Sequence, residues 1–296
     1  MSAGPKTDAG ASVRNALREA MGRLEAANVP SHALAAELLL MHTMRCDRTW
    51  LYSHPEAAID SEALQKFFEL VARRAQGVPT HYLTGKQEFW GLEFEVTPAV
   101  LIPRPETEHL VEVVMEMLRE NKQAEKLRIA DVGTGSGCIA VALAQEFRSA
   151  EILATDISRA ALDVARRNAE RHRVSERIRF VECDLLGAAA EEGRAFDLIV
   201  SNPPYVANGD ESRLQKEVRE HEPREALFGG PEGTEVYARL IAEAAKRVRH
   251  EGLLVVEIGY GASERVRELF NCVEWKDIRV ADDLAGIPRV ISAKRT

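Results

Sequence analysis

The chain has 296 residues, 45% hydrophobic and 29% charged, a soluble globular balance with enough length for two domains of ordinary size. A net charge of −8 at pH 7 argues against extensive non-specific nucleic-acid binding, which runs on phosphate neutralisation by Lys and Arg, although a local basic patch stays open. No apolar run approaches the roughly 20 residues that span a bilayer, so no membrane role is expected.

Residues 1–11 read as a disordered tail, polar with one lysine and no apolar core, hence not a signal peptide. From Ala11 to about Gly77 the signal is helical. Val13, Leu17, Met21 and Leu24 fall on one helical face. Ser31 stands where it would cap the run Ala33 to Met44, and Asp60 or Ser61 would cap a helix burying Leu64, Phe67, Phe68 and Val71. Gly77 and Pro79 stop it. His42 and His54 read as packing or surface residues. Thr80 to Pro98, with turn glycines Gly85 and Gly91, reads as a β-hairpin joining two domains. The expected division is a helical domain over 1–77, a hairpin linker over 78–105 and an α/β domain over 106–296.

In Leu101-Ile102-Pro103-Arg104-Pro105-Glu106-Thr107-Glu108 two prolines hold Arg104 in an extended loop, and Pro105 or Thr107 opens a helix. Such a loop serves either as a plain linker or as a wall of the site. From Leu127 strands alternate with helices: strands at Leu127 to Ala130, Ile152 to Ala154, Ile178 to Val181, Phe196 to Val200 and Leu253 to Ile258, and helices at Ile139 to Ala144, Ala160 to Arg171 and Val236 to Val248. Alternation argues a mainly parallel, doubly wound sheet. Trp275 to Val280 and Arg289 to Ala293 are too closely spaced for a crossover helix and are expected as an antiparallel pair. The fold class is therefore α/β, a doubly wound seven-stranded Rossmann-like sheet with a small N-terminal all-helical domain. Cys46, Cys138, Cys183 and Cys272 show neither CxxC nor metal-ligand spacing, so reduced thiols, no metal site and a cytoplasmic location are expected.

Two stretches carry chemistry. Asp131-Val132-Gly133-Thr134-Gly135-Ser136-Gly137 lies between the first strand and its helix, where alternating glycines let the backbone approach a ligand closely. Asp156 ends the second strand, where a carboxylate can accept both ribose hydroxyls or serve as a helix N-cap, with Ser158 competing for the cap. Both features suit a dinucleotide as well as S-adenosylmethionine. The loop lacks the G-x-G-x-x-G spacing of the dinucleotide fingerprint, and Asp184 closes the third strand where an adenine-binding acid would sit. The fourth strand runs into Asn202-Pro203-Pro204-Tyr205, a stiff corner at a strand's carboxyl end. An ordinary Pro-rich turn is the plain alternative. As a site, the Asn202 side-chain oxygen and the Pro203 carbonyl could accept both N–H bonds of a planar NH₂ group and aim its lone pair at a sulfonium methyl, while Tyr205 packs on the planar group. Such a corner has no use in hydride transfer.

With these residues the chain resembles the protein-(glutamine-N5) methyltransferases that modify bacterial peptide chain release factors. The resemblance runs from about Gly77 to Arg289. It includes Gly77-Val78-Pro79 with Tyr82, Thr84-Gly85, Glu88-Phe89, the Leu101 to Glu108 segment, Asp131 to Gly137, Asp156, Asn202 to Tyr205, and Asp283-Leu284-Ala285-Gly286 with Arg289. It implies transfer of a methyl group from S-adenosylmethionine to the glutamine of the Gly-Gly-Gln motif in class 1 release factors, with the helical domain helping to grip them. It places Gly133, Thr134, Gly135, Ser136, Gly137, Asp156, Leu185 and Asn202 at the cofactor. Asn202, Pro203, Pro204 and Tyr205 hold the glutamine amide, Asn202 and Pro203 being catalytic. Some relatives carry an aromatic residue where this chain has Leu185. The rival substrates are a ribosomal-protein glutamine or a nucleic-acid amino group; a nicotinamide oxidoreductase and a cofactor-binding scaffold without activity are the other readings. No direct nucleic-acid contact and a monomer are expected.

Overall fold

A computed structural model describes residues 11–120, 126–187, 195–270 and 273–296. The expected tail up to residue 10 and Cys272 lie outside the described residues. The chain divides into two compact units, Met1–Gly85 with Lys216–His221, and Lys86–Gln215 with Glu222–Thr296.

The first unit holds α1 (Val13–Ala26), α2 (His32–Met44), α3 (Arg48–Ser53), α4 (Ser61–Ala75) and α5 (Thr80–Thr84). Val13, Ala16, Ala20 and Leu24 are the buried side of α1, with Leu17 and Met21 at its margin. Asp60 caps α4, its carboxylate accepting from the Ala63 N–H at 2.9 Å. Ser31 precedes α2 but makes no cap hydrogen bond: its φ of 49° is left-handed, which turns the hydroxyl away from the helix N–H groups. His42 is exposed, and His54 stacks on Trp50 with ring centroids 4.7 Å apart. Thr80–Thr84, expected within a hairpin, is helical. Its Thr and Tyr residues favour a strand, but Leu83 joins the helical core and Gly85 closes the turn at φ 73°, so packing overrides propensity.

The second unit opens with a true hairpin, β1 (Lys86–Phe89) and β2 (Leu92–Glu95), turned by Trp90 and Gly91, both at positive φ as a two-residue primed turn demands. Then follow α6 (Pro105–Glu120), β3 (Arg128–Val132), α7 (Cys138–Glu146), β4 (Glu151–Asp156), α8 (Arg159–Arg171), β5 (Ile178–Glu182), β6 (Phe196–Ser201) and β7 (Val206–Ala207). A short helix, α9 (Lys216–His221), groups with the first unit, where its Glu217 pairs with the buried Arg74 of α4 at 2.5 Å. Last come β8 (Phe228–Gly230), α10 (Glu235–Ala244), β9 (Val248–Glu257), α11 (Ser263–Arg267), β10 (Trp275–Asp282) and β11 (Pro288–Arg295).

Seven strands form one sheet in the order β10-β11-β9-β6-β3-β4-β5. The five from β3 to β9 run parallel, and β11 is antiparallel to both β9 and β10. Alternate residues feed two cores: Leu253 and Val255 of β9 join the core under α6 and α7, while Leu254 and Val256 join the one under α10. That doubly apolar pattern is why these strands read as continuous hydrophobic runs. The helix expected over Val236 to Val248 ends at Ala244, because Val248 pairs with Phe196 and starts the strand early. From β3 the chain winds outward one way through β4 and β5, then returns to β6 and winds the other way. The carboxyl ends of β3 and β6 are thus the switch point, where such sheets leave a crevice.

Candidate active site

Strand β3 delivers Asp131 and Val132 to that crevice. Asp131 is fully buried; its Oδ2 accepts from the Thr134 hydroxyl at 2.6 Å and the Ala140 N–H at 3.1 Å, stitching the loop to the start of α7. Burial pushes its carboxyl up to about 7, with Asp156 adding repulsion and the two hydrogen bonds opposing the rise. Gly133 and Gly135 have φ of 72° and 54° with open space where a Cβ would stand, so they bare the backbone on that side. Gly137 serves packing instead: a Cβ there would lie 3.0 Å from the Ala165 Cβ of α8. The Gly135 N–H donates to Asp156 Oδ2 at 2.9 Å and the Ser158 N–H to Oδ1 at 2.8 Å. Asp156 therefore braces the loop, and the side-chain cap of α8 is Ser158, which accepts from Ala161.

A cavity of about 280 Å³ opens beside the loop. Gly133, Gly135, Asp156, Asp184, Leu185, Asn202 and Pro204 line it. Thr134 and Ser136 are buried within the loop, and they, Gly137, Pro203 and Tyr205 are not among the lining residues. Leu185 holds a left-handed φ of 47°, and its carbonyl accepts from the Thr155 hydroxyl at 2.8 Å. Asp184 pairs with Arg239 of α10. Of the Leu101 to Glu108 loop, which read as either linker or wall, Leu101 lines the cavity beside Ala99 and Val100, and Arg104 pairs with Glu222, donating from Nη2 at 2.7 Å.

The corner at Asn202 to Tyr205 is shaped by glycines far along the chain. A Cβ on Gly229 would stand 2.4 Å from the Pro204 carbonyl oxygen, one on Gly233 2.4 Å from that of Tyr205, and one on Gly259 2.7 Å from the Tyr205 ring. Parallel pairing of β7 with β8 fixes the exit, Val206 N–H donating to Leu227 O at 2.8 Å. The Asn202 amide is oriented: Nδ2 donates to Thr107 Oγ1 at 3.1 Å, so Oδ1 faces the other way. Glu257, the last residue of β9, lies buried near Thr107; burial pushes its carboxyl up to about 7, while Thr107 and the nearby Arg289 and Arg104 charges pull it down. Burial likewise raises the Tyr205 phenol, with Glu257 contributing.

Residues 15–85 match the model of the PrmC N-terminal domain and residues 107–223 that of the methyltransferase small domain. The release factor glutamine methyltransferase of Koribacter versatilis is 44% identical over 283 residues, covering 96% of this chain and 98% of the relative. That of Nitratidesulfovibrio vulgaris is 41% identical over 293 residues, 98% of each. This chain belongs to the release factor glutamine methyltransferase family. Among solved structures, the human METTL16 catalytic domain, determined with a 3′UTR hairpin, superposes at TM-score 0.56 with 18% identity over 76% of this chain and 80% of that one, which shows the shared fold alone.

The glycine loop and the diproline corner of this chain meet at one cavity. Two features near this corner escape a reading of the sequence. Glu257 ends an apolar strand with nothing local to mark it. Gly229, Gly233 and Gly259 look like loop glycines until their neighbours are known.

Proposed function

We propose that this chain transfers a methyl group from S-adenosylmethionine to the N5 amide nitrogen of the glutamine in the Gly-Gly-Gln motif of class 1 release factors. The observation that carries the reading is Asn202, which lines the same cavity as Gly133, Gly135 and Asp156 with its Nδ2 already committed to Thr107. The residues suit the donor. Bare glycine backbone, a carboxylate at the end of β4 and the aliphatic Leu101, Ile157 and Leu185 surround a cavity closed at one side by the corner. We assign Thr134, Ser136 and Gly137 to holding the loop that Gly133 and Gly135 present.

The donor supplies an electrophilic methyl group on a sulfonium. The protein's task is to make a poor nucleophile reactive. Asn202 Oδ1 and the Pro203 carbonyl accept the two N–H bonds of the target amide, which fixes its plane and points its lone pair across the cavity. Pro204 and Tyr205 hold the corner, and the Tyr205 ring packs against the glutamine. As the nitrogen takes the methyl and the S–CH₃ bond breaks, its protons become strongly acidic, and those same two oxygens would hold them until one passes to solvent water. Positioning and fixed dipoles then supply most of the rate. We assign recognition of the release factor to the helical unit, and the protein works as a cytoplasmic monomer with no direct nucleic-acid or membrane partner. The net charge of −8 argues against extensive non-specific nucleic-acid binding.

The test is label transfer from the methyl donor to release factor, ribosomes or DNA. Release factor is expected to be labelled and its Gln→Ala variant not; label on ribosomal protein or DNA instead overturns the assignment. Asn202→Ala is expected to lower kcat about 10²–10³-fold, the usual cost of losing one preorganised polar contact at a reacting group. Its donor Kd should hold. Lost donor binding with surviving turnover would remove Asn202 from the chemistry.

A further inference from the structure

We infer that Leu284 and Tyr260 form a docking rim beside the diproline corner for the polypeptide that carries the target glutamine. The inference rests on the amide-transfer reading above and adds to it a surface that meets the acceptor protein outside the carboxamide itself.

Backbone connections place this rim. Past the end of β9 the chain reaches Gly259, where a Cβ would lie 2.7 Å from the Tyr205 ring. The next residue, Tyr260, is 79% exposed. It stands in a turn closed by the Ala262 N–H, which donates to the Gly259 carbonyl at 3.1 Å, and Gly261 supplies the left-handed φ of 72° at the third position. On the other side β11 runs back along β9: Val290 pairs with Glu257, and the Ile258 N–H donates to the Arg289 carbonyl at 2.7 Å. The turn from Asp282 into β11 therefore emerges at the same end of the sheet as Tyr260.

That turn is held still from within. Asp283 Oδ1 accepts from the Ala285 N–H at 2.9 Å and the Ile287 N–H at 3.0 Å, and Oδ2 accepts from Arg289 Nε at 3.1 Å. The Asp283 N–H donates to the Ile287 carbonyl at 2.8 Å, and the Gly286 N–H to the Asp283 carbonyl at 2.9 Å. These bonds face inward, and Leu284 is left fully exposed. One exposed apolar side chain is ordinary on a protein surface. Two of them, on turns fixed by hydrogen bonds beside one catalytic corner, are a preorganised surface. Covering them removes apolar area from water with little further loss of backbone freedom.

Charge selects the class of partner. Asp282 is exposed next to this turn, and Arg289, the one cation in residues 282–289, is paired with Asp283. A nucleic-acid strand laid across the turn would bring phosphates to a carboxylate and find its cation already neutralised. An apolar side chain of a polypeptide instead meets Leu284 and Tyr260. The rim therefore fits a protein acceptor whose chain flanks the target glutamine with an apolar residue.

Leu284→Ser and Tyr260→Ser test the rim, since both side chains stand in solvent and their loss leaves the core untouched. Calorimetry with release factor should show Kd raised about ten-fold in Leu284→Ser and about five-fold in Tyr260→Ser. In both, kcat at saturating release factor and the Kd for S-adenosylmethionine should stay within about two-fold of the parent protein, with Tm unchanged. Val273→Ser is the control: Val273 is 78% exposed but precedes β10, at the opposite end of that strand from Asp282, and its loss should leave the release-factor Kd at the parental value. Parental Kd in both Leu284→Ser and Tyr260→Ser would overturn the rim. So would an equal loss in Val273→Ser, or weakened binding of RNA or DNA in place of release factor. If the parent protein labels release factor and both variants bind it as the parent does, the rim fails and amide transfer at the corner stands. A parent protein that labels no release factor removes the underlying reading itself.

Discussion

The glycine loop and the diproline corner face one cavity but are held in opposite ways. The loop is nearly self-sufficient: its left-handed glycines, the Thr134–Asp131 bond and the Gly135–Asp156 bond all lie within about one strand-helix-strand unit. The corner is stiff by itself but aimed by others. Gly229, Gly233 and Gly259 give it room, β8 fixes its exit, and Thr107 accepts from its amide. The loop therefore rests on local backbone, and the corner on distant contacts.

Substitutions that strike one region without the other put this difference to the test. The largest effect is expected for Gly259→Ala, whose new methyl would drive the Tyr205 ring off its seat. Turnover should fall on the order of 100-fold, the scale of a 1 Å misplacement, while donor Kd stays put. Equal loss of donor affinity would mean that the two regions are coupled. Gly135→Ala is the converse. It has space but a φ of 54°, so strain of roughly 1–2 kcal/mol should weaken donor binding about ten-fold with kcat at saturation little changed. Steady-state kinetics at saturating donor, beside calorimetry, separates the two outcomes.

A smaller effect concerns pH. With its folded pKa at about 7, Asp131 keeps in the native state a proton that the unfolded chain, titrating near 4, has already released. Between these values the group's contribution to stability falls as pH rises, and its charging opposes folding most fully above pH 7. Thermal melts should lose part of their decline from pH 5 to pH 8 in Asp131→Asn; an unchanged slope would show that Asp131 is ionised in the fold at low pH. The smallest effect lies away from the site: Asp60→Ala removes the α4 cap and should cost about 1 kcal/mol. A lower Tm in the helical unit with unaltered kcat is expected, and a loss of turnover would contradict it.

Much of the fold was legible because its strands are buried on both faces and its helices lie between them, so strand and helix follow one another in plain hydrophobic runs. Thr80–Thr84 misled because its residues favour strands while Leu83 needs the helical core. The start of β9 was hidden because Val248 is recruited by Phe196, a partner across the sheet. Within the site, Gly133, Gly135, Asp156, Leu185, Asn202 and Pro204 were named from the sequence and meet at the cavity. The sequence left the Arg104 loop open between a linker and a wall; its Leu101 lines the cavity, while Arg104 pairs with the buried Glu222.

The sequence by itself determined the strand-helix order, the loop whose glycines permit left-handed turns and the corner whose prolines forbid any other path, since backbone sterics act between neighbours. Only the tertiary structure decided which glycines make way for Tyr205, that Glu222 holds Arg104, and that Thr107 meets Asn202. Those outcomes depend on close packing and on hydrogen bonds between residues roughly a hundred positions apart, as with Thr107 and Asn202, and nothing in a linear spacing reveals who fills whose vacancy once the sheet has wound.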